Sequence, residues 1–135
     1  LAGGLLTGKY NTSETSSEAK RFDSTQTGKI TDRDLKIAGE VSSIAAEIGK
    51  SASGVALNWL RQQSVEIIPI IGSRKVAQLQ ENLACLDFEL TPEQMQRLDT
   101  VSAIELGFPH DFLKSSSVQD FAFGGGIAKI DNHRL

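Results

Sequence analysis

IIPIIGSRKVAQLQENL, residues 67 to 83, is the part of this chain that most clearly indicates its fold. The first five residues, Ile67–Ile71, have the length and β-branched content of a strand covered on both faces, as in a parallel sheet. Gly72 then turns the chain, and Ser73 is a candidate N-cap for the helix that follows. The first amides of that helix would attract an anion, and Arg74 adds a guanidinium group suited to phosphate. The sequence therefore predicts a strand, a turn and a helix that together form an anion site.

The predicted helix has two distinct faces when its residues are placed about 100° apart. The polar face comprises Arg74, Gln78, Glu81 and Asn82. The opposite face comprises Val76, Leu79, Leu83 and Leu86. The apolar face could pack against a sheet while the polar row, which begins beside the anion site, holds a nucleotide. An ordinary amphipathic helix whose polar side meets water has the same periodicity, so the pattern leaves both interpretations open.

Three further helices are predicted from capping residues and apolar spacing. Thr31 starts the first, which continues with helical spacing to Gly49, a glycine suited to a C-cap. Ser51 starts the second, whose apolar stripe includes a tryptophan that we expect in the core. The third begins at Thr91 as N-cap, with a proline at the first helical position and Gln94 at the third. These patterns predict helices that form part of the scaffold, and they do not indicate a function.

Composition and charge exclude several classes of protein. Of the 135 residues, 39% are hydrophobic and 23% are charged, and no apolar run approaches the length of a membrane span. The net charge of −3 argues against a nucleic acid as the main partner. A single cysteine, Cys85, allows no internal disulfide, which fits a reducing compartment and predicts a cytoplasmic protein. No pair of His, Cys, Asp or Glu shows metal-ligand spacing, and His110 is interpreted as an exposed loop residue.

Several blocks of this sequence together resemble one known family. In chain order they read LAGGLLTGKY (1–10), GKSASGVALNWL (49–60), IIPIIGSRK (67–75), LTPE (90–93), GFPHDFL (107–113) and IDNHR (130–134). In content and order they are similar to the carboxyl-terminal part of an aldo-keto reductase. Members of that family are (β/α)8 TIM barrels that reduce aldehydes and ketones to alcohols with NADPH. The resemblance therefore implies an α/β chain that forms the last βα units and the carboxyl-terminal loop of such a barrel.

The resemblance also implies an NADP(H) site made from two loops. In the first loop Leu1, Ala2 and Gly3 match the backbone at the pyrophosphate, Lys9 matches a lysine that reaches the phosphates, and Arg21 is a further candidate. In the second loop Gly72, Ser73 and Arg74 match the region of the adenosine 2'-phosphate. Gln78, Glu81 and Asn82 match positions around the ribose and adenine. This assignment agrees with the anion site inferred from the residues, since barrels commonly bind phosphate at the last two loops.

No catalytic residue is assigned. The family's catalytic aspartate, tyrosine, lysine and histidine lie in the amino-terminal part of the barrel and have no counterpart here. Tyr10 is the only tyrosine of the chain, and it belongs to the cofactor-side block TGKY. Since a barrel of this kind needs about 250 residues, we interpret residues 1–135 as a partial barrel, a single incomplete domain.

Two functions follow from this interpretation. The first is a piece of an NADPH-dependent oxidoreductase acting on a small carbonyl substrate, which keeps the cofactor loops and is inactive on its own. The second is a non-enzymatic nucleotide-binding or regulatory subunit of the same fold. The sequence does not specify the substrate or the oligomeric state.

Overall fold

The computed structural model describes residues 1–8 and 30–131, and the chain divides into two compact units, residues 1–102 and 103–135. In the first unit a short segment with 3-10 turns, Ala2–Thr7, precedes helices α1 (Asp32–Ile48) and α2 (Ala52–Arg61). Helix α3 (Val76–Leu83) runs into a 3-10 turn, Ala84–Asp87, and α4 (Pro92–Ser102) completes the unit. The described part of the chain is helical and contains no β-strand.

The caps of α1 form as predicted. The Thr31 hydroxyl accepts a hydrogen bond from the Asp34 backbone N–H at 3.2 Å, and the Asp34 carboxylate accepts one from the Thr31 backbone N–H at 2.9 Å. The Thr31 backbone N–H and, as the smaller cause, the Thr31 hydroxyl, which donates to Asp34 Oδ2 at 2.7 Å, hold the pKa of the Asp34 carboxyl group below its ordinary value. At the other end Gly49 takes the left-handed conformation at φ 63°, which a glycine adopts without steric cost.

Helices α2 and α4 also begin where the sequence predicts. The Ser51 hydroxyl accepts a hydrogen bond from the Gly54 backbone N–H at 3.0 Å. At the start of α4 the Gln94 side chain accepts from the Thr91 backbone N–H at 2.9 Å, and the Thr91 hydroxyl accepts from the Gln94 N–H at 3.3 Å. Both starts satisfy backbone donors that a helix leaves unpaired at its first turn.

The core of this unit lies between α1, α2 and α4. Its buried side chains are Val41, Ile44, Ala45, Val55, Ala56, Leu90 and Leu98. Ile44 and Val55 are fully buried, and a buried aliphatic side chain of this size contributes about 1.5–3 kcal/mol. Trp59 packs against the same cluster, as the sequence predicts, and its indole Nε1 donates to the Asp99 carboxylate at 2.7 Å.

An ion-pair group joins α1 to α4 at the edge of this core. Arg97 Nε lies 2.7 Å from Glu40 Oε1, and its two terminal nitrogens each lie 2.8 Å from an oxygen of Glu47. Hydrogen bonding to Arg97 holds the pKa of the Glu47 carboxyl group below its ordinary value, and the two carboxylates raise the pKa of Arg97. The two-pronged contact of Arg97 with Glu47 gives this ion pair a defined geometry.

The segment predicted as a buried strand, residues 67–71, has no regular secondary structure. Ile68 is 81% exposed and Ile70 is 101% exposed, so neither side chain is covered. A strand is stabilised by hydrogen bonds to a neighbouring strand, and none of the described segments pairs with residues 67–71. The predicted strand is therefore not confirmed in this structure.

The second unit consists of short helices with exposed side chains. Helix α5 spans His110–Lys114, α6 spans Ser116–Phe123, and a 3-10 turn spans Ile127–Lys129. Neither α5 nor α6 has a buried residue. His110 lies at the first position of α5 and is exposed, as expected for it, although in a helix and not in a loop. Among the described helices, none is long and apolar enough to cross a membrane.

Candidate functional site

The second candidate loop leads into α3, but the helix begins later than the sequence predicts. The N-cap residue is Lys75, and the first helical residue is Val76. The prediction of Ser73 as N-cap is wrong because another side chain satisfies the amides at this turn. Gln78 Oε1 accepts a hydrogen bond from the Arg74 backbone N–H at 3.0 Å and from the Lys75 N–H at 3.3 Å. A phosphate bound to these two amides would have to displace the Gln78 side chain.

Ser73 instead contacts the far end of α3. Its hydroxyl accepts a hydrogen bond from Asn82 Nδ2 at 3.3 Å, which joins the turn before the helix to the last turn of the helix. Asn82 is only 6% exposed. The structure therefore brings these two predicted site residues together, and the Asn82 amide is engaged within the loop.

The burial of the two faces of α3 differs from the pattern that the sequence predicts. In this helix, whose residues are all described, Asn82 is the only buried side chain, although it belongs to the polar face. The apolar face is exposed: Val76 at 74%, Leu79 at 42% and Leu83 at 47%. The expectation that this face packs against a sheet is wrong for this structure, because the strand that would provide the sheet is unpaired.

The remaining polar residues of the second loop are accessible. Gly72, Arg74, Gln78 and Glu81 are all exposed. Arg74 thus presents a guanidinium group to solvent two residues before the start of α3, where a helix dipole adds positive potential. Such an arrangement can accept an anion, because a guanidinium fork matches a phosphate in geometry as well as in charge.

The first candidate loop has a glycine-dependent backbone. Gly3 and Gly4 have φ values of 62° and 97°, a conformation that residues with a β-carbon rarely adopt. The side chains of Leu1 and Ala2 line an apolar cavity of about 260 Å³, together with Trp59 and Leu98. An apolar lining does not suit a phosphate, so a pyrophosphate contact at this loop would have to come from the backbone.

Helix α2 is the element that both candidate loops share. The Ala2–Thr7 segment packs against α1 and α2, and α3 packs against α2. Lys9 and Arg21, the two other candidates, lie outside the described residues. Their predicted roles at the phosphates stay predictions.

A polar group on α2 was not recognised from the sequence. Asn58 is fully buried, and it lies beside Arg61 and Gln62 at the end of the helix. These three side chains contact the backbone that follows α3. The signal that could have revealed them is an asparagine within an otherwise apolar helical stripe, since a buried polar group requires a partner.

The residues that the structure describes contain no candidate metal site. In residues 1–8 and 30–131, no three His, Cys, Asp or Glu side chains lie close enough to hold a metal ion. Cys85 is buried and is not in a disulfide.

Comparison with known proteins places this chain in a family. The model of the aldo/keto reductase family matches residues 1–103. This chain belongs to the aldo/keto reductase family. The match ends within one residue of the boundary of the first unit, Ser102. The resemblance to this family is therefore confirmed over residues 1–103.

Similar curated proteins carry oxidoreductase names. The chain is 33% identical over 88 residues to the probable aryl-alcohol dehydrogenase AAD4 of Saccharomyces cerevisiae, covering 64% of this chain and 27% of that protein. It is 32% identical over 84 residues to the putative aryl-alcohol dehydrogenase YFL057C of the same yeast, covering 62% and 55%. It is 42% identical over 76 residues to an aryl-alcohol dehydrogenase [NADP(+)] of Phanerodontia chrysosporium, covering 56% and 20%.

The chain spans only about a quarter to a half of these first two relatives. Aldo/keto reductases form an oxidoreductase family that generally uses NAD(P)H, and the family fold is a (β/α)8 barrel. The described residues contain no strand, so the barrel part of the prediction is not confirmed here.

Proposed function

We propose that this chain supplies the adenosine end of an NADP(H) site in an aldo/keto reductase that reduces aldehydes or ketones to alcohols. The observation that supports this most directly is Arg74, an exposed guanidinium group just before α3 in a chain that matches the family over residues 1–103. One relative is named as an NADP(+) enzyme, which fits a positive group suited to a 2'-phosphate.

In this proposal different residues of the second loop contact different parts of the cofactor. Arg74 pairs with the 2'-phosphate, while Gln78 and Glu81 lie along the exposed side of α3 toward the ribose and adenine. Binding of the phosphate to the Arg74 and Lys75 amides would exchange the Gln78 side chain for phosphate oxygens, because that side chain occupies both donors in the free chain.

The chemical step requires groups that this proposal places elsewhere in the parent enzyme. When bound, NADPH would supply the hydride for the carbonyl carbon, and a general acid would supply the proton for the carbonyl oxygen. The positions that the resemblance assigns to this acid have no counterpart in residues 1–135. We therefore propose that the chain by itself binds cofactor without reducing a carbonyl compound, and that the parent enzyme acts in the cytoplasm.

The test is the ratio of two affinities. Replacing Arg74 with glutamate removes a charge-assisted hydrogen bond and adds repulsion, so NADPH affinity should fall by about ten- to a hundredfold, corresponding to roughly 1.5–3 kcal/mol. NADH lacks the 2'-phosphate and should lose much less. Isothermal titration calorimetry with both cofactors gives the ratio of dissociation constants.

A matched control is Lys36→Glu, which makes the same change of charge on the exposed surface of α1. It should leave the ratio of the two dissociation constants unchanged. An equal loss of NADPH and NADH affinity in Arg74→Glu would place this residue away from the 2'-phosphate. Absence of binding of either cofactor to the native protein would reject the proposed function.

A further inference from the structure

Three polar side chains form a row at the end of α2. Asn58, Arg61 and Gln62 are spaced by three and four residues, so they lie on the same side of the helix. Asn58 is 0% exposed even though its side chain is polar. A polar amide is buried at such a position only when it has hydrogen-bond partners.

The first two members of this row contact the segment that follows α3. Asn58 Nδ2 donates a hydrogen bond to the Phe88 carbonyl oxygen. Arg61 Nη1 lies 2.8 Å from the Cys85 carbonyl oxygen and 2.8 Å from Asn58 Oδ1. The guanidinium group therefore orients the Asn58 amide while it binds the backbone itself.

Gln62 makes the third contact, which is a double one. Its Nε2 donates to the Leu90 carbonyl oxygen at 3.0 Å, and its Oε1 accepts from the Leu90 backbone N–H at 2.8 Å. Together the row satisfies backbone groups of Cys85, Phe88 and Leu90. All of these contacts lie immediately after the last residues of α3.

These contacts matter because α3 has little apolar packing of its own. Its side chains at positions 76, 79 and 83 are exposed, and the one that is buried, Asn82, is polar. The carboxyl end of α3 continues directly into the Ala84–Asp87 turn, which packs on α2. The polar row therefore acts together with the direct packing of α3 on α2 to determine where α3 lies.

We propose that Asn58, Arg61 and Gln62 are positioning residues for the cofactor site: by holding the segment after α3, they set where Arg74 stands relative to the 2'-phosphate. This inference rests on the proposed function. The residues themselves do not touch the cofactor. Their effect passes from the 85–90 segment through α3, and through the Asn82–Ser73 hydrogen bond, to the turn that carries Arg74.

The experiment compares two neighbouring glutamines. Gln62→Leu removes both hydrogen bonds to Leu90. Gln63→Leu is the matched control, because Gln63 Nε2 donates only to the Trp59 carbonyl oxygen at 2.9 Å, within the same helix. Calorimetric titration of the 135-residue chain with NADPH and NADH should show NADPH affinity about tenfold weaker in Gln62→Leu, with a smaller loss for NADH. Gln63→Leu should keep the native ratio.

A third variant separates positioning from loss of folding. Gln62→Glu keeps the acceptor for the Leu90 N–H but places a carboxylate oxygen against the Leu90 carbonyl oxygen, so its ratio of dissociation constants should shift in the same direction as that of Gln62→Leu. Amide hydrogen exchange over residues 76–90 should rise in both variants and stay native in Gln63→Leu. If Gln62→Leu does not fold, the ratio measured in Gln62→Glu decides.

The outcomes separate the two proposals. A native protein that binds neither cofactor overturns the proposed function, and this inference falls with it. A native protein that binds NADPH, with a native NADPH-to-NADH ratio in Gln62→Leu and Gln62→Glu, overturns the positioning role alone. Faster exchange in residues 76–90 without any change of that ratio would mean that the row only stabilises the fold, which also overturns it.

Discussion

Helices α2 and α3 have similar amphipathic patterns, yet only α2 is covered. Val55, Ala56 and Leu57 of α2 are buried, whereas Val76 and Leu83 of α3 are exposed. The difference shows that apolar spacing specifies a helix and the face it would bury, but not the element that buries it. In this chain α2 packs against α1 and the Ala2–Thr7 segment, whereas α3 packs on α2 with its apolar side chains left exposed.

The largest expected effect on the free energy of unfolding distinguishes an isoleucine of the packed core from an isoleucine of the uncovered 67–71 segment. Ile44 is 0% exposed in the core, and Ile70 is 101% exposed in the unpaired segment. Ile44→Ala should lower the free energy of unfolding by about 2–5 kcal/mol, because it removes buried methyl groups and leaves a cavity. Ile70→Ala should change it by less than about 0.5 kcal/mol. Urea denaturation followed by circular dichroism measures both.

Equal losses in the two variants would break the comparison, since they would mean that the 67–71 segment is covered in solution. Self-association provides one such route, because exposed isoleucines in an uncovered segment favour contact between copies. Repeating the Ile70→Ala measurement at several protein concentrations distinguishes the two cases. If the loss in free energy of unfolding stays larger in Ile44→Ala than in Ile70→Ala at every protein concentration, the contrast between the buried core and the uncovered segment is supported.

A smaller effect is expected at the helix starts. Thr31→Ala removes one half of the capping box of α1, which should cost about 1 kcal/mol in the free energy of unfolding. Gln78→Ala frees the Arg74 and Lys75 amides to water at an exposed site, so it should cost less than about 0.5 kcal/mol. Thermal or urea unfolding of both variants tests this order, and a larger loss in Gln78→Ala would reverse it.

How far the sequence predicts this structure depends on how local the determinants are. The starts of α1, α2 and α4 were predicted correctly because Thr31, Ser51 and Thr91 are satisfied by backbone groups three residues away. The start of α3 was not, because the Gln78 side chain competes with Ser73 for the same turn. A cap is thus predictable unless a second polar side chain lies within reach.

Long-range contacts are the other limit. Asn58 and Gln62 contact residues 30 and 28 positions away, and no short pattern encodes such distances. The strand at 67–71 likewise requires a neighbouring strand. In the candidate site, the placement of Ser73 beside Asn82 was not foreseen, and the role of the exposed Arg74 at the phosphate stays a prediction. The family was identified from motif content and order, which do not depend on these contacts.

The smallest expected effect concerns pH and the ion pairs of Arg97. The pKa of Glu47 is lower in the folded chain than its ordinary value of about 4.3, so the ionised form is favoured by folding. The stabilisation it provides is therefore present above that value and is lost as pH falls through the lower folded pKa. The difference in urea midpoint between native and Glu47→Gln should be small at pH 7 and should shrink below about pH 4.

The control for this titration is Glu66→Gln, in the exposed segment after α2. A Glu47→Gln difference that stays constant from pH 7 to pH 3 would show that the Arg97 contact is not formed in solution.

The fluorescence of Trp59 reports on the packing of α2 against α4 in the first unit. It is the single tryptophan of the chain, and its indole joins α2 to Asp99 of α4. Its emission therefore reports the docking of those two helices directly. Trp59 does not belong to α3, so a movement of α3 alone need not change the emission. An unchanged emission spectrum therefore indicates that α2 and α4 are docked, but it does not show that the second candidate loop is in place.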